Sequence, residues 1–323
     1  MKKMTKVLAI VLALAMIMCL TACGGSKAAD DGKYTIGICQ LVTHDALDAA
    51  TQGFIDALNE AMPGQVEFDI QNAAGDSNTC SSIATTFVAN GVDLILANAT
   101  PALQAAAAAT GDIPILGTSV TEYGVALSID NFSGTVGGNI SGTSDLAPLD
   151  QQAQMIVEWF PNAQQVGLIY CSAEANSVYQ VNTVQAILEG MGIACKQYPF
   201  SDSNDAAAVA QNAADECDVI YVPTDNTVAS NAAIIDNIMR PAGIPVIAGE
   251  ENVCKGCGIA TLSISYYDLG VATGKMAAKI LKGEASISDM AIEYAANFTP
   301  KYNKAICDDL GLTPPSSDYV EIG

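Results

Sequence analysis

Three short motifs occur twice in the chain, in the same order and at nearly the same separation. Asp76-Ser-Asn78 is repeated as Asp202-Ser-Asn204, Asp93-Leu-Ile-Leu96 as Asp218-Val-Ile-Tyr221, and Ile113-Pro-Ile-Leu116 as Ile244-Pro-Val-Ile247. The offsets are 126, 125 and 131 residues. One match would carry little weight. Three in order indicate a duplicated unit of about 120 residues.

The surroundings of the motifs decide what kind of unit this is. Short apolar runs read as strands at 34–40, 66–70, 94–97 and 115–117, and again at 166–170, 195–199, 219–222, 246–248 and 259–264. Helical patterns lie between them. Leu47, Ala50, Phe54, Leu58 and Met62 recur every three or four residues, an apolar stripe on one helix face. Asp76 and Asp202 each stand before a helical run, where a short polar side chain caps free N–H groups. Apolar strands separated by helices form parallel sheets covered on both faces. The expected fold class is therefore α/β, with two doubly wound, Rossmann-like lobes of parallel sheet. The Gly-, Ser- and Asn-rich stretch 128–148 reads as the first crossing between them.

Charge removes whole classes of function. The 323 residues include 35 Asp and Glu against 13 Lys and Arg, with one arginine, Arg240, and one histidine, His44. No Lys or Arg occurs between Lys33 and Lys196. Nucleic-acid binding needs clustered basic residues on phosphates, so it is excluded, and polyphosphate substrates and anionic lipid surfaces are disfavoured with it. A single imidazole excludes poly-histidine metal sites. Half the chain is apolar, too much for a disordered acidic tail.

The N-terminus reads as a targeting segment. Lys2, Lys3 and Lys6 precede an apolar run over 7–20, which is short for a membrane span but suits an export signal. Leu20-Thr-Ala-Cys23 resembles a bacterial lipobox, which implies removal of residues 1–22 and acylation of Cys23. Residues 23–33 then form a lipid-anchored tether, small and polar in its middle. Eight cysteines remain after Cys19 and Cys23. Their spacing shows no small disulfide framework, and Cys254-Lys-Gly-Cys257 is the only close pair, either structural thiols or one local disulfide.

Where two such lobes face each other, ligands bind at the carboxyl ends of the strands. That places the candidate loops at 40–44, 98–101 and 118–121 in the first lobe, and at 171–177, 224–226 and 249–251 in the second. The candidate ligand-binding residues are Gln40, His44, Thr100, Pro101, Ser119 and Thr121 on one side. On the other they are Glu174, Asn176, Ser177, Asp225, Asn226 and Glu250, with Tyr266 beside them. Each also fits ordinary turn and capping chemistry. His44 either bonds the ligand or fixes its loop.

Five segments then carry a family resemblance: Ile36-Gly-Ile-Cys-Gln-Leu-Val-Thr-His44-Asp-Ala-Leu-Asp48, Asp93-Leu-Ile-Leu-Ala-Asn-Ala-Thr-Pro101, Glu174-Ala-Asn-Ser177, Pro223-Thr-Asp-Asn-Thr-Val-Ala229 and Ser265-Tyr-Tyr-Asp-Leu-Gly270. Together they resemble the ABC-transporter substrate-binding lipoproteins of the tryptophan/tyrosine-binding type. The resemblance implies a type I periplasmic-binding-protein fold whose lobes close on a small molecule and present it to a permease with its ATPase subunits. It implies a hinge crossed three times, with lobe one as 34–143 plus about 265–285 and lobe two as 144–264 plus about 286–323. The segment near Tyr266 should return to lobe one, carry a helix to about Leu281 and cross back, with Pro314-Pro315 ending the last helix. The implied localisation is the outer face of the bacterial cytoplasmic membrane, and a monomer without cofactor is expected. Two positions depart from the family: Thr121-Glu-Tyr-Gly124 replaces Thr-Asp-Pro, and His44-Asp45 replaces His-Pro.

Charge also bears on the ligand. An amino acid in a closed cleft needs partners for both its ammonium and its carboxylate. The cleft loops of lobe one carry no Lys or Arg, so a carboxylate there must be held by hydroxyls and helix-start N–H groups, as at Thr100, Ser119 and Thr121. Glu174 and Asp225 are the expected ammonium partners. Tyr123, Tyr266 and Tyr267 either flank an aromatic ring or are buried hinge and core tyrosines, while Trp159 is expected to pack a helix end. A nucleoside, sugar or other amino acid is the alternative ligand, and a surface adhesin or receptor the alternative role. Enzyme classes fit poorly: there is no Gly-x-Ser-x-Gly elbow, no Gly-x-Gly-x-x-Gly between strand and helix, and no Walker lysine motif.

Overall fold

The computed structural model describes residues 32–322. The expected export signal, Cys23 and all but the last two residues of the tether lie outside the described residues. In the first lobe β1 (Tyr34–Gln40), α1 (Asp45–Ala61), β2 (Val66–Asn72), α2 (Ser77–Asn90), β3 (Leu94–Asn98), α3 (Thr100–Ala109), β4 (Ile115–Val120), α4 (Tyr123–Leu127) and β5 (Ile140–Ser144) follow one another. The second lobe continues with α5 (Leu149–Trp159), β6 (Gln165–Cys171), α6 (Ala175–Gly190), β7 (Ala194–Phe200), α7 (Ser203–Glu216), β8 (Val219–Val222), α8 (Asn226–Ala229), α9 (Ala232–Ala242), β9 (Val246–Ala248), α10 (Glu251–Cys257) and β10 (Ala260–Ser263). The chain returns to the first lobe as α11 (Tyr266–Leu281) and β11 (Glu293–Tyr294). It finishes in the second as β12 (Thr299–Tyr302), α12 (Lys304–Leu310) and β13 (Val320–Glu321).

The two sheets run β11-β5-β4-β3-β1-β2 and β13-β12-β10-β9-β8-β6-β7. Their pairings are parallel except β10 with β12. The duplicated motifs do the same work in both lobes. Asp76 Oδ1 accepts the Thr79 N–H and Asp202 Oδ1 the Asn204 N–H, capping α2 and α7. Asp93 accepts the Thr35 N–H at the start of β1, and Asp218 accepts those of Gln164 and Gln165 at the start of β6. Pro114 O takes the Ile95 N–H and Pro245 O that of Ile220, each at 2.9 Å.

Three expectations need correction. Residues 140–144 are not part of a linker but form β5, so the first crossing is confined to 145–148. Residues 286–294, expected in lobe two, stay with lobe one because Glu293 and Tyr294 pair with Thr143 and Ser144; the third crossing falls at 295–298. The last helix ends at Gly311, whose left-handed backbone (φ 67°) caps α12 ahead of Pro314.

Lobe one is held by the packing of α1 against α11 and of both against the sheet. Phe54, Leu58 and Met276 bury against Ile36, Ile38, Leu94, Leu96 and Leu116. The two helices come close enough for backbone contact. A Cβ at Gly270 would lie 2.0 Å from Ala50 O, and one at Gly53 2.1 Å from Tyr267 O. In β5, Gly142 (φ 147°) leaves room for the buried Tyr123, whose hydroxyl donates to Thr143 O. Trp159 closes α5 and meets the edge of Tyr319. Cys254 and Cys257 are free thiols buried in the lobe-two core.

Candidate functional site

The strand ends of the two sheets meet across a cleft, and the backbone there is strained. Ala99, between β3 and α3, has φ 90° and ψ 159°, a region that almost only glycine adopts. Ser119, near the end of β4, has φ 53°. Such geometry costs free energy and persists where the surroundings impose it. Its effect is to start α3 at the cleft, where first-turn N–H groups have no intrahelical acceptor.

Among the lobe-one candidates, Gln40 is committed to its own lobe: its amide donates to Val42 O and Asp48, and its Oε1 accepts from Thr51. It therefore props the loop that carries His44. Pro101 borders an outer cavity of about 440 Å³ together with Glu174 and Asn226. Thr100, Ser119 and Thr121 are all buried.

In lobe two the acids are already engaged. Glu174 Oε2 accepts from Asn226 N (3.1 Å), Asn226 Nδ2 (2.6 Å) and Asn176 Nδ2 (3.3 Å). Its Oε1 accepts from Thr227 N and Thr227 Oγ1, both at 2.8 Å. Asp225 caps α8 through Val228 N (2.9 Å) and takes Cys171 N (2.7 Å). Glu250 caps α10 through Val253 N and Asn252 N. Glu174 and Asp225 therefore serve first to tie β6 to α8, which revises their expected role as ammonium partners.

Two contacts join the parts. Tyr266 donates from its hydroxyl to Asp145 Oδ2 at 3.0 Å, linking the second crossing to the first. His44 Nε2 lies 3.3 Å from Asn226 Oδ1, across the cleft. Between them is a central cavity of about 10 Å³ whose lining includes Leu47, Thr224 and Ala229 as well as the charged and aromatic groups. That lining has three carboxylates, Asp145, Asp225 and Glu250, and no Lys or Arg. Burial pushes the Asp145 carboxyl up to about 6 and Glu250 to about 7. Asp225 rises to about 7 through burial and then through the neighbouring Glu174 charge. Burial also lowers the His44 pKa, against the opposing pull of Asn226, Glu174, Asp48 and Asp45. A larger cavity of about 760 Å³ opens on the hinge side, sharing Tyr266 and Glu250 as a wall.

Eight buried side-chain nitrogen or oxygen atoms lack a partner among the described residues, and five belong to the cleft loops: His44 Nδ1, Asn98 Oδ1, Thr100 Oγ1, Ser119 Oγ and Asn176 Oδ1. A sixth, Asp145 Oδ1, lies beside them in the first crossing. Buried polar atoms without partners are costly, so their concentration marks where a polar ligand would be held. Asp145 is absent from the sequence-based set, and Thr224 was reached only as part of the 224–226 loop. Asp145 was hidden because β5, which ends beside it, has almost no apolar residues. Of the tyrosines, Tyr266 lines the site, Tyr123 is core, and Tyr267 is exposed and donates to Asp56.

Comparison with known proteins gives the family. Residues 35–320 match the family model for ABC transporter substrate binding proteins. The chain is 35% identical over 307 residues to a tyrosine-binding protein of Clostridioides difficile, covering 90% of this chain and 88% of that one. A Streptococcus ABC domain in complex with L-Trp superposes with TM-score 0.84 at 32% identity, covering 89% of this chain and 99% of that one. A ligand-free, open structure of a C. difficile substrate-binding protein with adhesive properties gives 0.68 at 36% identity, covering 90% and 99%. A leucine-binding protein of Thermotoga maritima, at 14% identity and TM-score 0.62, shares the fold.

Proposed function

We propose, starting from the fact that the chain belongs to the ABC transporter substrate-binding protein family, that it captures an aromatic amino acid between its lobes and hands it to a permease. The observation that carries this reading is the set of unpartnered polar atoms contributed by both lobes and by the first crossing. Asp145, with one free oxygen in a cleft without Lys or Arg, takes the ammonium. Thr100 and Ser119, with the start of α3, hold the carboxylate. Asn176, Asn226, His44 and Tyr266 complete the wall, and Asp225, Glu174, Ser177 and Glu250 hold it in shape.

Ligand contacts both lobes only when they are together, so binding shifts the population from open to closed. Aromatic amino acids are favoured because the two more similar relatives of known ligand bind tyrosine and L-Trp. Thermal-shift screening with L-tryptophan, L-tyrosine, L-phenylalanine, nucleosides and sugars tests the class. A raised melting temperature with an aromatic amino acid is expected. A rise confined to sugars or nucleosides would overturn the assignment.

An export signal ending in a lipid anchor at Cys23 completes the proposal, supported by the apolar run over 7–20 and Leu20-Thr-Ala-Cys23. Metabolic labelling with a fatty acid, lost in Cys23→Ala, is the expected result. A second role as a surface adhesin is suggested by the relative with adhesive properties. Binding of the whole protein to host-cell surfaces is the measurement for it.

A further inference from the structure

Glu174 has no oxygen left for a ligand, yet it is buried at the heart of the cleft wall. Five donors from Asn176, Asn226 and Thr227 converge on its carboxylate. Oε2 already accepts the Asn226 backbone N–H, and as an acceptor it is paired by the amide nitrogen of Asn226 at 2.6 Å. The orientation of the Asn226 amide is therefore decided by chemistry: its Oδ1 is left to face His44 across the cleft. An amide oxygen can only accept, so His44 Nε2 must be the nitrogen that carries the proton. The other ring nitrogen, Nδ1, is buried and has no partner among the described residues.

We propose that Glu174 is a positioning residue that, through Asn226, holds His44 as the Nε2–H tautomer and so presents Nδ1 as a hydrogen-bond acceptor to the ligand. The group accepted is an N–H of the amino acid, its ammonium or its ring N–H. The inference rests on the reading of the cleft as the amino-acid site. The charges around the imidazole are Glu174, Asp48 and Asp45, with Asp145, Asp225 and Glu250 in the same cavity lining, all acidic. Burial outweighs them and keeps the ring neutral, the only state in which Nδ1 can accept. Selectivity follows: a ligand with no N–H at that position leaves Nδ1 unsatisfied.

His44 is the only histidine of the chain, so its two ring nitrogens give the only imidazole signals in a 15N spectrum. The full chain is labelled with 15N-histidine, and proton–nitrogen correlations are recorded with and without L-tryptophan and L-tyrosine. The expected spectrum shows a protonated Nε2 and a bare Nδ1, with Nδ1 moving when either amino acid binds. In Glu174→Gln an NH2 group replaces one acceptor oxygen and meets donors it cannot pair with, which frees Asn226 to turn. The tautomer ratio then moves toward Nδ1–H, and affinity for L-tryptophan falls about ten- to a hundredfold. Asn226→Ala removes the relay without altering a buried acid and should give the same loss of tautomer preference if Glu174→Gln does not fold. A wild-type Nδ1–H tautomer, or a ratio unchanged in both variants, overturns the relay. An Nδ1 signal that stays put while calorimetry shows binding overturns the acceptor role. Absence of binding in calorimetry, with the Nε2–H tautomer intact, overturns the amino-acid reading instead.

Discussion

The Tyr266 hydroxyl donates to Asp145 Oδ2 at 3.0 Å, and the second oxygen of the same carboxylate has no partner. One side chain thus touches two hinge crossings and still has an oxygen free for ligand. Asp145→Asn retains an oxygen for Tyr266 but removes the charge that faces the ammonium. Loss of a charge-assisted hydrogen bond corresponds to about ten- to a hundredfold weaker binding. Calorimetry with L-tryptophan or L-tyrosine is the check; equal affinity in the variant would move the ammonium elsewhere.

The same burial makes stability depend on pH. Asp145, Asp225 and Glu250 have folded pKa values of about 6, 7 and 7, above the ordinary carboxylate range of about 4. A carboxyl with a raised folded pKa contributes stability that is complete below its unfolded pKa and is lost as pH rises through the folded value. The free protein should therefore lose stability between about pH 4 and 7. Asp145→Asn mimics the protonated form, so it should match wild type near pH 4.5 and exceed it near pH 7.5, by on the order of 2 kcal/mol. Denaturant titrations of both proteins across this range give the comparison. Parallel profiles would show that Asp145 is not desolvated as described.

Thr100→Val separates the two ends of the ligand. The hydroxyl, buried and unpartnered, is assigned to the carboxylate, so its removal should weaken L-tryptophan binding about tenfold. Tryptamine, which has the ammonium and ring but no carboxylate, should bind wild type and variant equally. Equal losses for both ligands would place Thr100 at another part of the ligand or in the fold alone.

What could be read from the sequence followed from how local each signal is. The duplicated aspartates were legible because a strand-end or capping side chain acts on backbone a few residues away, or on the adjacent strand, in both lobes alike. The helix from Tyr266 to Leu281 was expected with its observed end, and Ser265 caps its start through the Asp268 N–H. Strand β5 was not legible, since Ile140-Ser-Gly-Thr-Ser144 owes its burial to Tyr123 and Gly117 rather than to its own apolar content. Asp145 was lost with it. The hydrogen bonds of Glu174 and Asp225 were not legible, because donors such as Thr227 N and Cys171 N lie some fifty positions away and meet them only when β6 and β8 pair.

Ala99→Gly tests the strain at the start of α3. With φ 90° and ψ 159°, an alanine here costs roughly 1–3 kcal/mol that glycine does not. Glycine's greater freedom in the unfolded chain offsets about 0.5–1 kcal/mol of that gain. The variant should be more stable by about 1 kcal/mol, measured by denaturant unfolding. A destabilised variant would mean that packing of the buried Ala99 methyl outweighs its backbone cost.

Gly270→Ala addresses the helix pair that carries the His44 loop at one end. The added Cβ would lie 2.0 Å from Ala50 O and 2.9 Å from Ala50 Cα, both backbone atoms that cannot swing aside. The helices must separate, unpacking Phe54 and Met276 from the sheet beneath them. Overpacking of this kind costs about 1–3 kcal/mol, and backbone contact places it at the upper end. Lys275→Ala, on the exposed face of the same helix, is the control and should be within about 0.5 kcal/mol of wild type. Equilibrium unfolding of both variants decides the matter: a Gly270→Ala protein as stable as the control would show that α1 and α11 do not meet at backbone distance.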